Sequence, residues 1–167
     1  MSSKTIRLSA AITLSAFCLL SVALRAEENQ VSPKQEFQAL LERVKKSDAS
    51  VDFARMRKLQ TQLDDYEPYG DSESHPFTLL RQGNLDGAQA MVDGMLAQNY
   101  LNMEAHFAGI QIAEKRKDEK AAAHHRYVFQ GVIDSILKSG DGKSTKTAYV
   151  VVTIDEEYAL MGHLGLQ

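Results

Sequence analysis

Three groups of residues in this chain have types and spacings that suggest chemistry. The first is Gly142-Lys143-Ser144, which matches the end of a phosphate-binding loop. That loop needs an earlier glycine where Leu137 stands, and it needs a strand before it and a helix after it. The periodicity here predicts the reverse order, so nucleotide binding is not supported. A calcium loop starting at Asp141 fails as well, because Lys143 and Thr145 fill positions that need oxygen ligands. The second group is Asp155-Glu156-Glu157. Neighbouring carboxylates suit a general acid, but acids also favour the first turn of a helix. The third group is the histidines His75, His106, His124, His125 and His163. His124 and His125 are adjacent, so on a helix their side chains diverge by about 100° and cannot share one ion. His106 facing one of them across paired helices, with Glu104 or Asp134, is the remaining metal arrangement. Neither the zinc-helix spacing of two histidines with a glutamate nor a Gly-x-Ser-x-Gly elbow occurs.

These residues depend on the elements that carry them. Ser32-Pro33-Lys34-Gln35 reads as a helix start, followed by the stripe Phe37, Leu40, Leu41, Val44. Asp52 caps a second helix with Phe53, Met56, Leu59 and Leu63 on one face. The acidic stretch Asp64-Asp65-Tyr66-Glu67-Pro68-Tyr69-Gly70-Asp71 then breaks the pattern. It forms a connector whose Tyr66 and Tyr69 are candidate contact residues. A helix from Phe77 stops at Gly83; another carries Leu85, Ala88, Val92 and Leu96. Asn102 and Asp118 cap two more, the last lined by Ala122, Val128, Phe129, Val132, Ile133, Ile136 and Leu137. Gly140 is expected to end it in the left-handed conformation.

Gly83-Asn84-Leu85-Asp86-Gly87-Ala88 and Arg116-Lys117-Asp118-Glu119-Lys120-Ala121 play matching roles, with Glu104-Ala105-His106-Phe107 between them. The spacing resembles tetratricopeptide repeats, whose period is about 34 residues. After Gly142 the period changes. Ala148-Tyr149-Val150-Val151-Val152-Thr153-Ile154 is continuous, β-branched and aromatic, and predicts a buried strand. Such a strand needs a partner, within the chain or at the edge of a second copy. A short helix from Tyr158 to Leu164 closes the sequence.

The first 26 residues differ in kind. Lys4 and Arg7 precede an uncharged run, Leu8–Ala23, that is shorter than the ~20 residues a membrane span needs. Small residues follow at cleavage-compatible spacing, so the segment reads as a signal peptide cut after Ala23 or Ala26. Cys18 is the only cysteine and is lost with it. Cleavage removes Lys4, Arg7 and Arg25 and no acid, taking the formal net charge from −3 to −6. An acidic surface suits neither nucleic acid nor an anionic membrane.

The tail Ile133-Asp134-Ser135-Ile136-Leu137-Lys138-Ser139-Gly140-Asp141-Gly142-Lys143-Ser144, then Thr147-Ala148-Tyr149-Val150-Val151 and Asp155-Glu156-Glu157-Tyr158-Ala159-Leu160, resembles the domain of unknown function 4919 family. The resemblance extends from about Phe37 to Leu166. It implies an exported bacterial protein with a helical body and a small β element, and it carries over no catalytic residue.

The expected architecture is mainly α: tetratricopeptide-like antiparallel helical hairpins with one C-terminal β-strand and a short final helix. A signal peptide occupies 1–26 and a single helical domain 27–167, divided into a helical body at 32–138 and a turn–strand–helix tail at 139–167. The expected function is a non-enzymatic module, periplasmic or secreted, that binds a protein or peptide. It has no cofactor, metal, nucleic acid or stable membrane insertion, and it has the option of a homodimer through the C-terminal strand. The expected contact elements are the helices around Asn99–Ala113 and the Tyr66–Tyr69 loop, and candidate binding residues are Tyr66, Tyr69, His106, His125, Glu156 and Glu157. The alternative is a small metal-dependent hydrolase using His106, His124 or His125.

Overall fold

A computed structural model describes residues 31–69 and 75–166. The expected signal peptide at 1–26, its cleavage site, and Gly70 and Asp71 of the acidic connector lie outside the described residues. A compact unit starts at Pro33. Among the described residues it contains seven helices and no strand: α1 Pro33–Lys45, α2 Phe53–Gln60, α3 Pro76–Arg81, α4 Leu85–Gln98, α5 Met103–Arg116, α6 Glu119–Leu137 and α7 Ile154–His163. None of them is long and apolar enough to cross a membrane.

Local chemistry sets the helix starts. Asp52, Asn84, Asn102 and Asp118 each accept a hydrogen bond from the backbone N–H three residues on, satisfying a donor that the first turn leaves open. Thr153 does the same for α7. The apolar stripes then determine the packing. Phe37, Leu40 and Val44 of α1 meet Phe53, Met56 and Leu59 of α2, and Val128, Val132, Ile133 and Ile136 of α6 close the cluster with Leu160 of α7. A second cluster joins Leu80 of α3, Ala88 and Val92 of α4, and Ala105, Ala108 and Ile112 of α5. Helix α5 serves both, since Met103 lies in the first cluster. Each fully buried side chain of the size of Leu59 or Met56 contributes on the order of 2 kcal/mol.

The predicted C-terminal strand is absent. Residues 148–151 carry no regular secondary structure, and no neighbouring strand pairs with them among the described residues. Their backbone groups are taken by side chains instead. Val150 N–H donates to Ser139 Oγ at 2.8 Å, and Val150 C=O accepts from Arg57 Nη2 at 2.6 Å. Val152 N–H donates to Glu156 Oε2 at 2.8 Å, and Val152 C=O accepts from the Tyr66 hydroxyl. Ile154 N–H reaches Pro68 C=O at 2.8 Å. A β-branched run favours a strand, but a sheet requires a row of backbone partners, and here side chains take most of those places, with Pro68 C=O taking one. The strand on which edge-to-edge dimerisation was expected to rest therefore does not exist here.

The turn before it also differs from expectation. Helix α6 ends with Lys138 in right-handed geometry, and the left-handed residue is Gly142, with φ of 67°. Asp141 and Gly142 N–H both donate to Thr147 C=O at 2.9 Å, which closes the loop carrying Lys143 and Ser144.

Candidate functional site

An open cleft of about 1260 Å³ is walled by α1, the end of α2 with the residues after it, α4, and the α4–α5 connection. Gln60, Asp64, Asp65, Asp93, Asn99, Tyr100, His124, His125 and Asp155 are among the residues lining it. Gln60 is the seventh residue after Phe53, on the buried face of α2, and is 7% exposed. Its Nε2 donates to Asn99 Oδ1 at 3.0 Å. That same oxygen also accepts from Leu101 N–H at 3.0 Å, which fixes the orientation of the Asn99 amide. Gln60 Oε1 is left buried without a donor. An unmatched buried acceptor costs about 1–3 kcal/mol.

A histidine network lies against this cleft. His106 of α5 is fully buried, and burial holds its pKa down at about 3, so it is neutral. Its Nε2 lies 2.8 Å from Tyr100 C=O, and a carbonyl only accepts, so Nε2 carries the proton. His106 Nδ1 is then a bare acceptor, and His125 Nδ1, 3.0 Å away, must be the donor. Burial lowers the pKa of His125 as well, against an opposing pull from Asp93. Neutral and protonated at Nδ1, His125 carries its free lone pair on Nε2. Gly109 makes this possible: a Cβ there would fall 2.6 Å from the His125 ring. His124 is held between two hydroxyls, Tyr100 OH at Nε2 (2.9 Å) and Ser47 Oγ at Nδ1 (2.8 Å). Burial lowers its pKa too. Among the described residues, no three His, Cys, Asp or Glu side chains converge as ligands for one ion.

The other candidates sit elsewhere. Glu156 is buried beneath the tail and paired with Arg57 of α2: Nε to Oε1 at 2.7 Å and Nη2 to Oε2 at 2.6 Å. Arg57 Nη1 also donates to Ser135 Oγ of α6 at 3.2 Å. Glu157 is exposed one residue on. Tyr66 is half-buried, lines the cleft, and holds Val152 with its hydroxyl. Tyr69 is 73% exposed. The structure thus brings together His106, His124 and His125, and sets Tyr66 beside Glu156 in a separate cluster, both bonded to the backbone of Val152. Sequence reasoning misses Arg57 and Gln60, and includes Asn99 and Tyr100 only as part of the contact region Asn99–Ala113. Arg57 and Gln60 had a signal: they fall four and seven residues after Phe53, on the apolar face, where a polar residue needs a buried partner.

The described residues thus form a small all-helical fold in which side-chain networks fasten the segment between α6 and α7. The model of the domain of unknown function family DUF4919 matches residues 25–167, and the chain belongs to that family. No curated protein and no solved structure matches it, so the tetratricopeptide likeness gains no support.

Proposed function

We propose that this chain is an exported, non-enzymatic binding protein whose cleft between α1, α4 and the residues after α2 grips a peptide segment of a partner. The observation that carries this reading is the open cleft itself, about 1260 Å³ and lined by side chains of both apolar and polar type, among them Phe37, Leu41, Leu63, Asn99 and Tyr100. Supporting it, the histidine ring nitrogens nearby are largely engaged with one another and with Tyr100 and Ser47, which favours a structural role for them. The charge pattern of residues 1–26 supports export.

Two measurements test the reading. Peptides selected from a random display library against the full chain should compete with one another and shift the amide resonances of Gln60, Asn99 and Tyr100. Selected peptides that bind but shift only residues outside the cleft would remove the site from the proposal. N-terminal sequencing of protein recovered from the cell envelope should begin after Ala23 or Ala26; an intact Met1 in that fraction would overturn cleavage.

A further inference from the structure

We propose that His125 is a pH-sensitive switch in the cleft wall: in mild acid it takes a proton at Nε2, which turns that atom from a hydrogen-bond acceptor into a charged donor while its bond to His106 stays in place. The switch itself needs no bound partner; its effect on a ligand rests on the binding reading above.

Every ring nitrogen of the three clustered histidines but one is engaged. His106 uses both, on Tyr100 C=O and on His125. His124 uses both, on Tyr100 OH and Ser47 Oγ. His125 uses Nδ1, and its Nε2 has no partner among the described residues. Nor is Nε2 sealed, because the buried side-chain atom there without a partner is Gln60 Oε1. A proton added to His106 would go to Nδ1 and set that N–H against the N–H of His125. A proton added to His124 would force the hydroxyl that donates to it, from Ser47 or Tyr100, to turn round. A proton added to His125 Nε2 breaks no bond, since Nδ1 is a donor in both states.

The charges around the ring fit this order. His106 faces it from α5, His124 lies on the same helix, Asp93 stands on α4, and Lys45 of α1 is beyond Tyr100, 5.7 Å from the centre of that ring. Glu114 of α5 is taken by Arg126. Helices α2 and α7 meet α6 near Ser135, where Arg57 and Glu156 neutralise each other. Asp93 accepts from Gln89 at 2.8 Å, and its charge still attracts a proton to His125. Burial, then His124, lower the pKa of His125, so the switch works on the acid side of about pH 6.5. His125 lines the cleft. At neutral pH the wall there offers a lone pair, suited to a hydroxyl or amide donor. In acid it offers an N–H with positive charge, suited to a carboxylate.

The test follows the imidazole nitrogen resonances of the isotope-labelled full chain as pH is lowered from about 8 to about 4. At the start His106 should be protonated at Nε2 and His125 at Nδ1. His125 should then be the first of the three to gain a proton, at Nε2, with its Nδ1 proton retained. Asp93→Asn should move that step to lower pH, and Glu119→Gln, outside the cleft, should leave it in place. A bare His125 Nδ1 at the start, or His124 or His106 titrating before His125, would overturn the switch. A display-selected peptide that occupies the cleft should change about five-fold in affinity between neutral and acid buffer, the effect of one hydrogen bond gained or lost. His125→Gln should remove that change. Equal affinity in the two buffers would overturn the effect on binding. The ring resonances need no peptide, so the switch and the binding reading fail separately.

Discussion

Arg57 and Glu156 stand 99 residues apart in the chain and meet as a two-pronged ion pair, with side chains 5% and 2% exposed. The pair joins α2 to α7, and the same guanidinium holds Ser135 of α6 and the carbonyl of Val150. Four separate segments converge on one side chain.

Removing one partner leaves a buried charge without compensation. Glu156→Gln should cost about 3–5 kcal/mol in urea unfolding. The double variant Arg57→Met, Glu156→Leu should lose less than the sum of the two single changes, because it buries no lone charge. Additive losses would show that the two residues do not act as a pair.

The tail should come loose stepwise. Ser139→Ala removes the acceptor of the Val150 N–H, and Tyr66→Phe removes the donor to Val152 C=O. Each should cost about 1 kcal/mol. Hydrogen exchange at the Val150 amide should accelerate in Ser139→Ala, while the amides of α4 keep their protection.

Much of this fold is legible in the sequence, for physical reasons that differ from element to element. Asp52, Asn102 and Asp118 announce helix starts because capping is local chemistry. The stripe Phe37, Leu40, Val44 announces a buried face because helix geometry repeats. The tail misleads because Val150-Val151-Val152 reports only its own preference for extended backbone. Whether a strand or side chains satisfy that backbone is decided by Tyr66 and Arg57, 86 and 93 residues away, together with Ser139 at 11 residues. Glu156 has a local hint, since Thr153-Ile154-Asp155-Glu156 has the pattern of a capping box. The carboxylate instead reaches Val152 N–H and Arg57. Nothing local selects Glu156 over Glu157 as the buried acid. At the candidate site, the pairing of His106 with a residue on the next helix is readable, and so is the region around Asn99, but the bond between Gln60 and Asn99 is not, because it joins residues 39 apart that only the packing of α2 against the α4–α5 connection brings together.

The histidines should make stability depend on pH. His106, His124 and His125 all have depressed values in the folded state, with burial the leading cause. The unfolded chain therefore binds protons more readily between about pH 3 and 6.5. The stabilisation from keeping these rings neutral is complete above about pH 6.5 and is lost as pH falls toward 3, at up to about 1.4 kcal/mol per unit for His106. Unfolding free energies across that range should decline toward acid, and His106→Leu should flatten the slope. Asp48 acts in a lower window. Hydrogen bonds from Ser50, then Arg43, depress its pKa, so its contribution is present above about pH 3.8 and is lost below that value.

Two glycine substitutions should move stability in opposite directions. Gly109→Ala places a methyl group 2.6 Å from the His125 ring and should cost about 1–3 kcal/mol, with the His106 ring resonances displaced. Gly94→Ala, within α4, meets nothing within 4 Å and should add about 0.5–1 kcal/mol. Thermal unfolding of the two variants checks the pair.

The distance along the chain between Arg57 and Glu156 has a consequence for synthesis. When α1, α2 and α6 have all been made, the guanidinium at their junction still lacks its carboxylate, which lies beyond the end of α6. A chain cut short anywhere before Glu156 would have to bury that charge alone or leave the junction open to water. Helix α7 thus completes a junction begun by α2 and α6, and a chain that stops before Glu156 is distinguished by its own chemistry from one that contains it.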